Sequence, residues 1–184
     1  MEDPLATIFE VETSTDKKYE ALQSFGHLWV DFRLRLEQLI KSEYDIFPKR
    51  DYEVDDKLCF VVMPFDKAYR SVYDEAIKSS VRRTGLSCKR ADDIFGVSPI
   101  VSDIWEYINK ARLIIADLTD RNPNVFYEVG LSHTLGKKVI LLAQKTQDVP
   151  FDIKHIRCII YQNNLRGRKH LRKVLFKTIN AVLK

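Results

Sequence analysis

Ala111–Leu142, ARLIIADLTDRNPNVFYEVGLSHTLGKKVILL, reads as strand, loop, helix and strand. Leu113-Ile114-Ile115-Ala116 is apolar without alternation, as in a strand covered on both faces. It ends in Asp117, and the polar residues Thr119, Asp120, Arg121 and Asn122 follow. Asn122 suits a helix N-cap and Pro123 the first helical position. The helix turns Val125, Phe126, Val129 and Leu135 inward and stops near Gly136, a C-cap residue. Val139-Ile140-Leu141-Leu142 is the next buried strand. Glu128 stands in this helix among apolar neighbours, an unusual setting for a carboxylate.

Upstream, Leu58–Met63 reads as the first core strand, ended by Pro64. A helix over Lys67–Thr84 follows, closed by Gly85, then a short strand over Leu86–Arg90 with the exit loop Ala91–Gly96. Ser98-Pro99 opens a helix carrying Ile100, Ile104, Trp105 and Ile108. Downstream, a loop from Gln144 to Asp152 leads to a fifth strand, Arg157–Tyr161, and a closing helix, Leu165–Leu183. Strand and helix alternating with short connections predict a parallel sheet with right-handed crossovers. The expected class is α/β, a flavodoxin-like doubly wound sheet of five parallel strands in the order 2-1-3-4-5. Residues 57–184 form this domain. Residues 1–56 form an N-terminal extension: a loose arm over 1–15, an amphipathic helix from about Asp16 to Glu43, and a charged linker over Pro48–Asp56.

The chain has 184 residues, enough for one such domain and a small extension. Cys59, Cys88 and Cys158 all fall in apolar strands with no C-x-x-C spacing, which predicts buried free thiols rather than a disulfide framework or zinc site. The acidic N-terminus has no apolar leader core, and no run nears the roughly 18 apolar residues of a membrane span. A cytoplasmic protein without membrane contact is expected. The net charge of +4 hides an asymmetry: residues 165–184 hold seven Lys/Arg and no acid, whereas residues 1–164 carry 23 basic against 26 acidic residues. The tail reads as an amphipathic helix with a solvated basic face. Without a reading motif, nucleic-acid binding is not expected.

In doubly wound sheets the ligand crevice lies beyond the carboxyl ends of the strands, at the switch point. Those exits hold Met63, Pro64 and Phe65, then Asp92 and Asp93, then Asp117 and Asp120–Asn124. There is no G-x-G-x-x-G, P-loop, nucleophile elbow or H-E-x-x-H. What remains is a cluster of carboxylates beside one helical glutamate. A desolvated carboxylate can stabilise an oxocarbenium-like transition state and capture the sugar when a bond at the anomeric carbon breaks.

VVMPF, ARLIIADLTD and NVFYEVGLSHTLGKKVILL resemble the nucleoside 2-deoxyribosyltransferase-like family over about residues 58–161. The resemblance implies that Glu128 is the nucleophile at the anomeric carbon, that Phe65 after Met63-Pro64 lines the base pocket, and that Asp103 assists the leaving base. NAD-cleaving TIR domains share the general topology and a catalytic glutamate. The family commonly carries an aspartate six residues before the nucleophile to hold the sugar hydroxyls, and here that position is Asn122. Asparagine can bond a hydroxyl but brings no charge, which leaves hydrolysis open beside transfer.

The expectation is therefore cleavage of an N-glycosidic bond of a nucleoside, nucleotide or NAD. Glu128 and Asp103 would be catalytic, and Met63, Pro64, Phe65, Asp92, Asp93, Asp117, Asn122 and Asn124 would bind substrate. No metal or cofactor is called for, NAD entering only as a substrate, and the N-terminal aromatic stripe favours a homo-oligomer. Each residue also has a plainer reading: Asp103 complements a helix dipole, Asp92 and Asp93 shape a turn, and Asn122 and Asn124 cap a helix. The alternatives are a non-catalytic nucleotide-sensing module and, more remotely, a phosphoreceiver-like switch with Asp117 as acceptor.

Overall fold

Five strands pair side by side, all parallel, in the order β2-β1-β3-β4-β5. They are β1 (Asp55–Val62), β2 (Ser87–Arg90), β3 (Ala111–Asp117), β4 (Val139–Ala143) and β5 (Cys158–Ile160). This is the flavodoxin-like α/β arrangement expected from the alternation of elements. The computed structural model describes residues 30–33, 47, 51–93 and 100–184. Contacts divide the chain into two units, Met1–Pro48 and Lys49–Lys184. In the first unit residues 30–33 are helical. The arm over 1–15 and the remainder of the helix read over 16–43 lie outside the described residues, as do Phe95, Gly96, Ser98 and Pro99.

Strand side chains alternate between two apolar layers. Cys59, Val61, Leu113, Ile115, Ile140 and Leu142 face one side, where α1 (residues 72–83) and α4 (Leu165–Leu183) cover them. Phe60, Val62, Ile114, Ala116 and Leu141 face the other, under α2 (Ile100–Lys110) and α3 (Pro123–Thr134). The uninterrupted apolar runs of β1 and β3 follow from this double cover. No helix joins β4 to β5; two single 3₁₀ turns, Thr146–Asp148 and Phe151–Ile153, make that crossover.

Two boundaries differ from the sequence reading. β1 begins at Asp55, inside the stretch read as linker, because Asp55 pairs with Ala111 across a register irregularity. The single helix read over Lys67–Thr84 is instead a 3₁₀ turn, Lys67–Tyr69, capped by Asp66, and then α1. In α1 a wide π-helical stretch, Val72–Lys78, runs into an α-helical turn, Ser79–Arg83. Its inward residues are those of the helical pattern, with Val72, Tyr73, Ala76, Ile77 and Val81 buried.

The ends of α3 are as the residues dictate. Asn122 accepts from the N–H groups of Asn124 (3.0 Å) and Val125 (3.4 Å), Pro123 follows, and Gly136 takes the left-handed φ of 65° past the helix end. Lys137 then turns back to donate to the carbonyls of Asn109 and of Ala111 (3.2 Å), so the lysine after that glycine holds the start of β3.

Gly167, in the first turn of α4, has a different constraint: a Cβ there would lie 2.1 Å from the carbonyl oxygen of Gln162. Gly167→Ala is expected to cost about 2 kcal/mol, the range of overpacking that backbone must absorb. Urea unfolding monitored by circular dichroism checks this, and an unchanged midpoint would mean that the Gln162 turn yields freely.

Candidate active site

The carboxyl ends of β1 and β3, neighbours in the sheet, mark the switch point. β3 delivers Asp117 there with no exposure to solvent. Its carboxylate accepts from Thr119 Oγ1 (2.5 Å), Thr119 N–H (3.1 Å) and the Tyr161 hydroxyl (2.6 Å). Burial pushes its pKa up against the opposing pull of these donors. Tyr161, just past β5, is raised by burial and by the Asp117 charge, and its hydroxyl also receives Gln144 Nε2 at 3.4 Å. Asp117 is thus the hub of a buried network beneath the crevice.

Between Asp117 and α3 the chain makes a 3₁₀ turn, Thr119–Arg121, in which Asp120 (φ 60°) and Arg121 (φ 54°) both adopt left-handed backbone. Two consecutive non-glycine residues in that region store strain, about 1–3 kcal/mol each. The Tyr69 hydroxyl, from the turn after β1, donates to Asp120. The bond ties together the two loops that flank the switch point.

α3 then presents Glu128 on the same face as Val125 and Val129. Glu128 is only 8% exposed, and its carboxylate has no hydrogen-bond or ion-pair partner among the described residues. Burial alone raises its pKa from 4.5 to about 7. A buried, unpaired carboxylate is costly, and such groups concentrate where chemistry needs them. α2 packs beside α3 and carries Asp103, half-buried, in its first turn.

The other expected site residues fall into two groups. Phe65 and Asn124 are exposed near the crevice, and Asn122 is half-buried with its side-chain oxygen used as the α3 cap. Met63 and Pro64 are buried, Met63 within the α1–α4 layer, where its sulfur receives Arg90 Nη1 at 3.7 Å. Arg90 itself is 2% exposed, lies over the Tyr73 ring at 4.4 Å and forks onto Asp92 through Nε and Nη2. Asp93 accepts from the Tyr73 hydroxyl at 2.6 Å. Burial alone would raise Asp93, but the Tyr73 bond, Lys78 and Arg90 outweigh it and hold it below the usual carboxylate range. Asp92 and Asp93 are therefore bound into the protein's own polar network.

Tyr161, Tyr69 and Arg90 join this region without a local sign in the sequence. Their partners Asp117 and Asp120 are 44 and 51 residues away from the two tyrosines, and only the position of Tyr161 at a strand exit hints at its place. Among the described residues no group of three or more His, Cys, Asp or Glu is placed to hold a metal ion, and no helix is long and apolar enough to cross a membrane. No protein-family model matches the chain, and no curated protein matches it.

Proposed function

We propose that Lys49–Lys184 cleaves the N-glycosidic bond of a nucleoside, a nucleotide or NAD, with Glu128 as nucleophile. The observation that carries the reading is the carboxylate of Glu128, buried in α3 without a partner among the described residues and desolvated to a pKa of about 7. In its ionised form such a group loses no hydrogen bonds when an electron-poor anomeric carbon approaches. Its oxygen forms the bond to that carbon as the C–N bond breaks, and the electron pair leaves with the base. Asp103, on the neighbouring helix, fits the part of assisting that base, as the family resemblance implies. Water or an acceptor base then displaces Glu128, so hydrolysis and transfer share the first step. The partner is a small-molecule nucleoside or nucleotide, and no cofactor takes part. Assembly into a homo-oligomer and a cytoplasmic site of action belong to the same proposal.

The test is free-base release, by chromatography, from deoxynucleosides, deoxynucleotides, ribonucleotides and NAD, with Glu128→Gln as control. Release of one base by the wild type alone supports the reading. Thermal stabilisation by a ligand without release would instead favour a nucleotide-sensing module. Because the nucleophile must be ionised, kcat/KM for base release is expected to rise with pH, with an inflection near the Glu128 pKa of about 7. A flat profile between about pH 6 and 8 would remove Glu128 from the nucleophile's role.

A further inference from the structure

Arg172, on α4, is the unexplained cation of the opposite layer. Its Nε is buried without a hydrogen-bond partner among the described residues, and no ion pair of its guanidinium is found among them. A buried N–H left without an acceptor costs about 1–3 kcal/mol, so the group calls for an acceptor that the described residues do not supply. Arg172 lines a cavity of about 220 Å³ between α1, which contributes Asp74, Glu75 and Ser79, and the start of α4, which contributes Leu165, Arg168 and Lys169.

The two acids on the wall are already engaged. Asp74 pairs with Arg70 at 2.8 Å, and Glu75 with Arg168 at 2.8 Å. That leaves the positive charges of Lys169 and Arg172 uncompensated around one small space among the described residues. The facing wall is the π-helical stretch of α1, a geometry that is rare and often found at functional sites.

We propose that this cavity binds a phosphate group, held by the guanidinium of Arg172 and the ammonium of Lys169. A guanidinium fork matches a tetrahedral oxyanion, and two neighbouring cations match a dianion better than a carboxylate. The space, of about 220 Å³, is ample for a phosphate and opens to solvent, where a group esterified to it could extend. The site lies on the α1–α4 face of the sheet, whereas Glu128 lies on the α2–α3 face. It therefore stands or falls independently of the glycosidase reading.

The experiment is calorimetric titration of the full chain with inorganic phosphate and, separately, with glycerol 2-phosphate, at matched ionic strength in chloride. Saturable binding of one or both is expected, and which one binds distinguishes a free from an esterified phosphate. Arg172→Gln should weaken it at least tenfold and Lys169→Gln at least threefold, while Glu128→Gln should leave it unchanged. No saturation by either probe would mean that Arg172 is satisfied by water only, and would overturn the proposal. So would equal binding by wild type and Arg172→Gln, or loss of binding in Glu128→Gln, which would move the phosphate to the crevice. Should Arg172→Gln fail to fold, Lys169→Gln decides: unchanged binding overturns the site.

Discussion

Glu128→Gln is expected to lower base release by at least about 10³-fold, the scale on which loss of a covalent nucleophile is felt, while making the protein more stable. In the folded chain the carboxyl keeps its proton up to about pH 7, against 4.5 as the ordinary value. The folded state binds more protons than the unfolded one between those limits, so wild-type stability falls as pH rises through that window. The shift corresponds to about 3 kcal/mol. Glutamine fills the same volume without an ionisable group. The variant should therefore gain up to about 3 kcal/mol over the wild type at about pH 8, with the difference vanishing near pH 4. Urea unfolding at the two pH values, beside the chromatographic assay, reads both effects on one preparation. A variant that lost activity and stability together would show Glu128 holding the fold through an unrecognised partner.

Tyr161→Phe should have the second large effect, with the opposite sign. The Tyr161 hydroxyl donates to a carboxylate that is wholly buried, and removing it leaves Asp117 with Thr119 as its donor among the described residues. A hydrogen bond to a charged group contributes about 1.5–3 kcal/mol, and a buried acceptor left short of donors adds to the loss. A cost of about 3 kcal/mol is expected at about pH 8. Burial has already raised the pKa of Asp117, and the missing donor raises it further because the tyrosine bond favours the ionised form. The loss should shrink as pH falls and Asp117 takes up its proton. Denaturation at two pH values checks this; a small loss, equal at both, would show that the hydroxyl is not holding a charge.

Much of the fold is legible from local chemistry. Pro123 after Asn122, and Gly136 at the other end, mark α3 because caps depend on adjacent residues. A parallel sheet follows from alternation and crossover handedness, its order from the flavodoxin-like class that five such strands suggest, and the apolar runs of β1 and β3 declare their double cover. What escaped depends on partners distant in sequence. β1 extends back to Asp55 only because Ala111 waits beside it. Nothing in VYDEAIK announces a π-helical stretch.

The candidate site divides in the same way. Glu128 stands out because a carboxylate among Val125, Phe126 and Val129 violates the local pattern. Asp92 and Asp93 read as open crevice acids, yet Arg90 and Tyr73 occupy them. A buried arginine beside a tyrosine ring cannot be read from the strand that carries it.

The pairing of β1 with β3 also sets the order in which the sheet can come together. Partners on β3 and β4, such as Ile115 and Ile140, or on β4 and β5, such as Leu142 and Ile159, are joined by short lengths of chain. So are Cys59 and Cys88 on β1 and β2. Phe60 and Ile114 are partners across the whole of α1, β2 and α2. Each half of the sheet is thus contiguous in the chain, and the two meet along one seam whose closure bears the largest loop entropy. That seam is the switch point, crossed above the sheet by Tyr69 and Asp120. A molecule seated there would grip both halves at once and slow the parting of the domain along its slowest-formed joint.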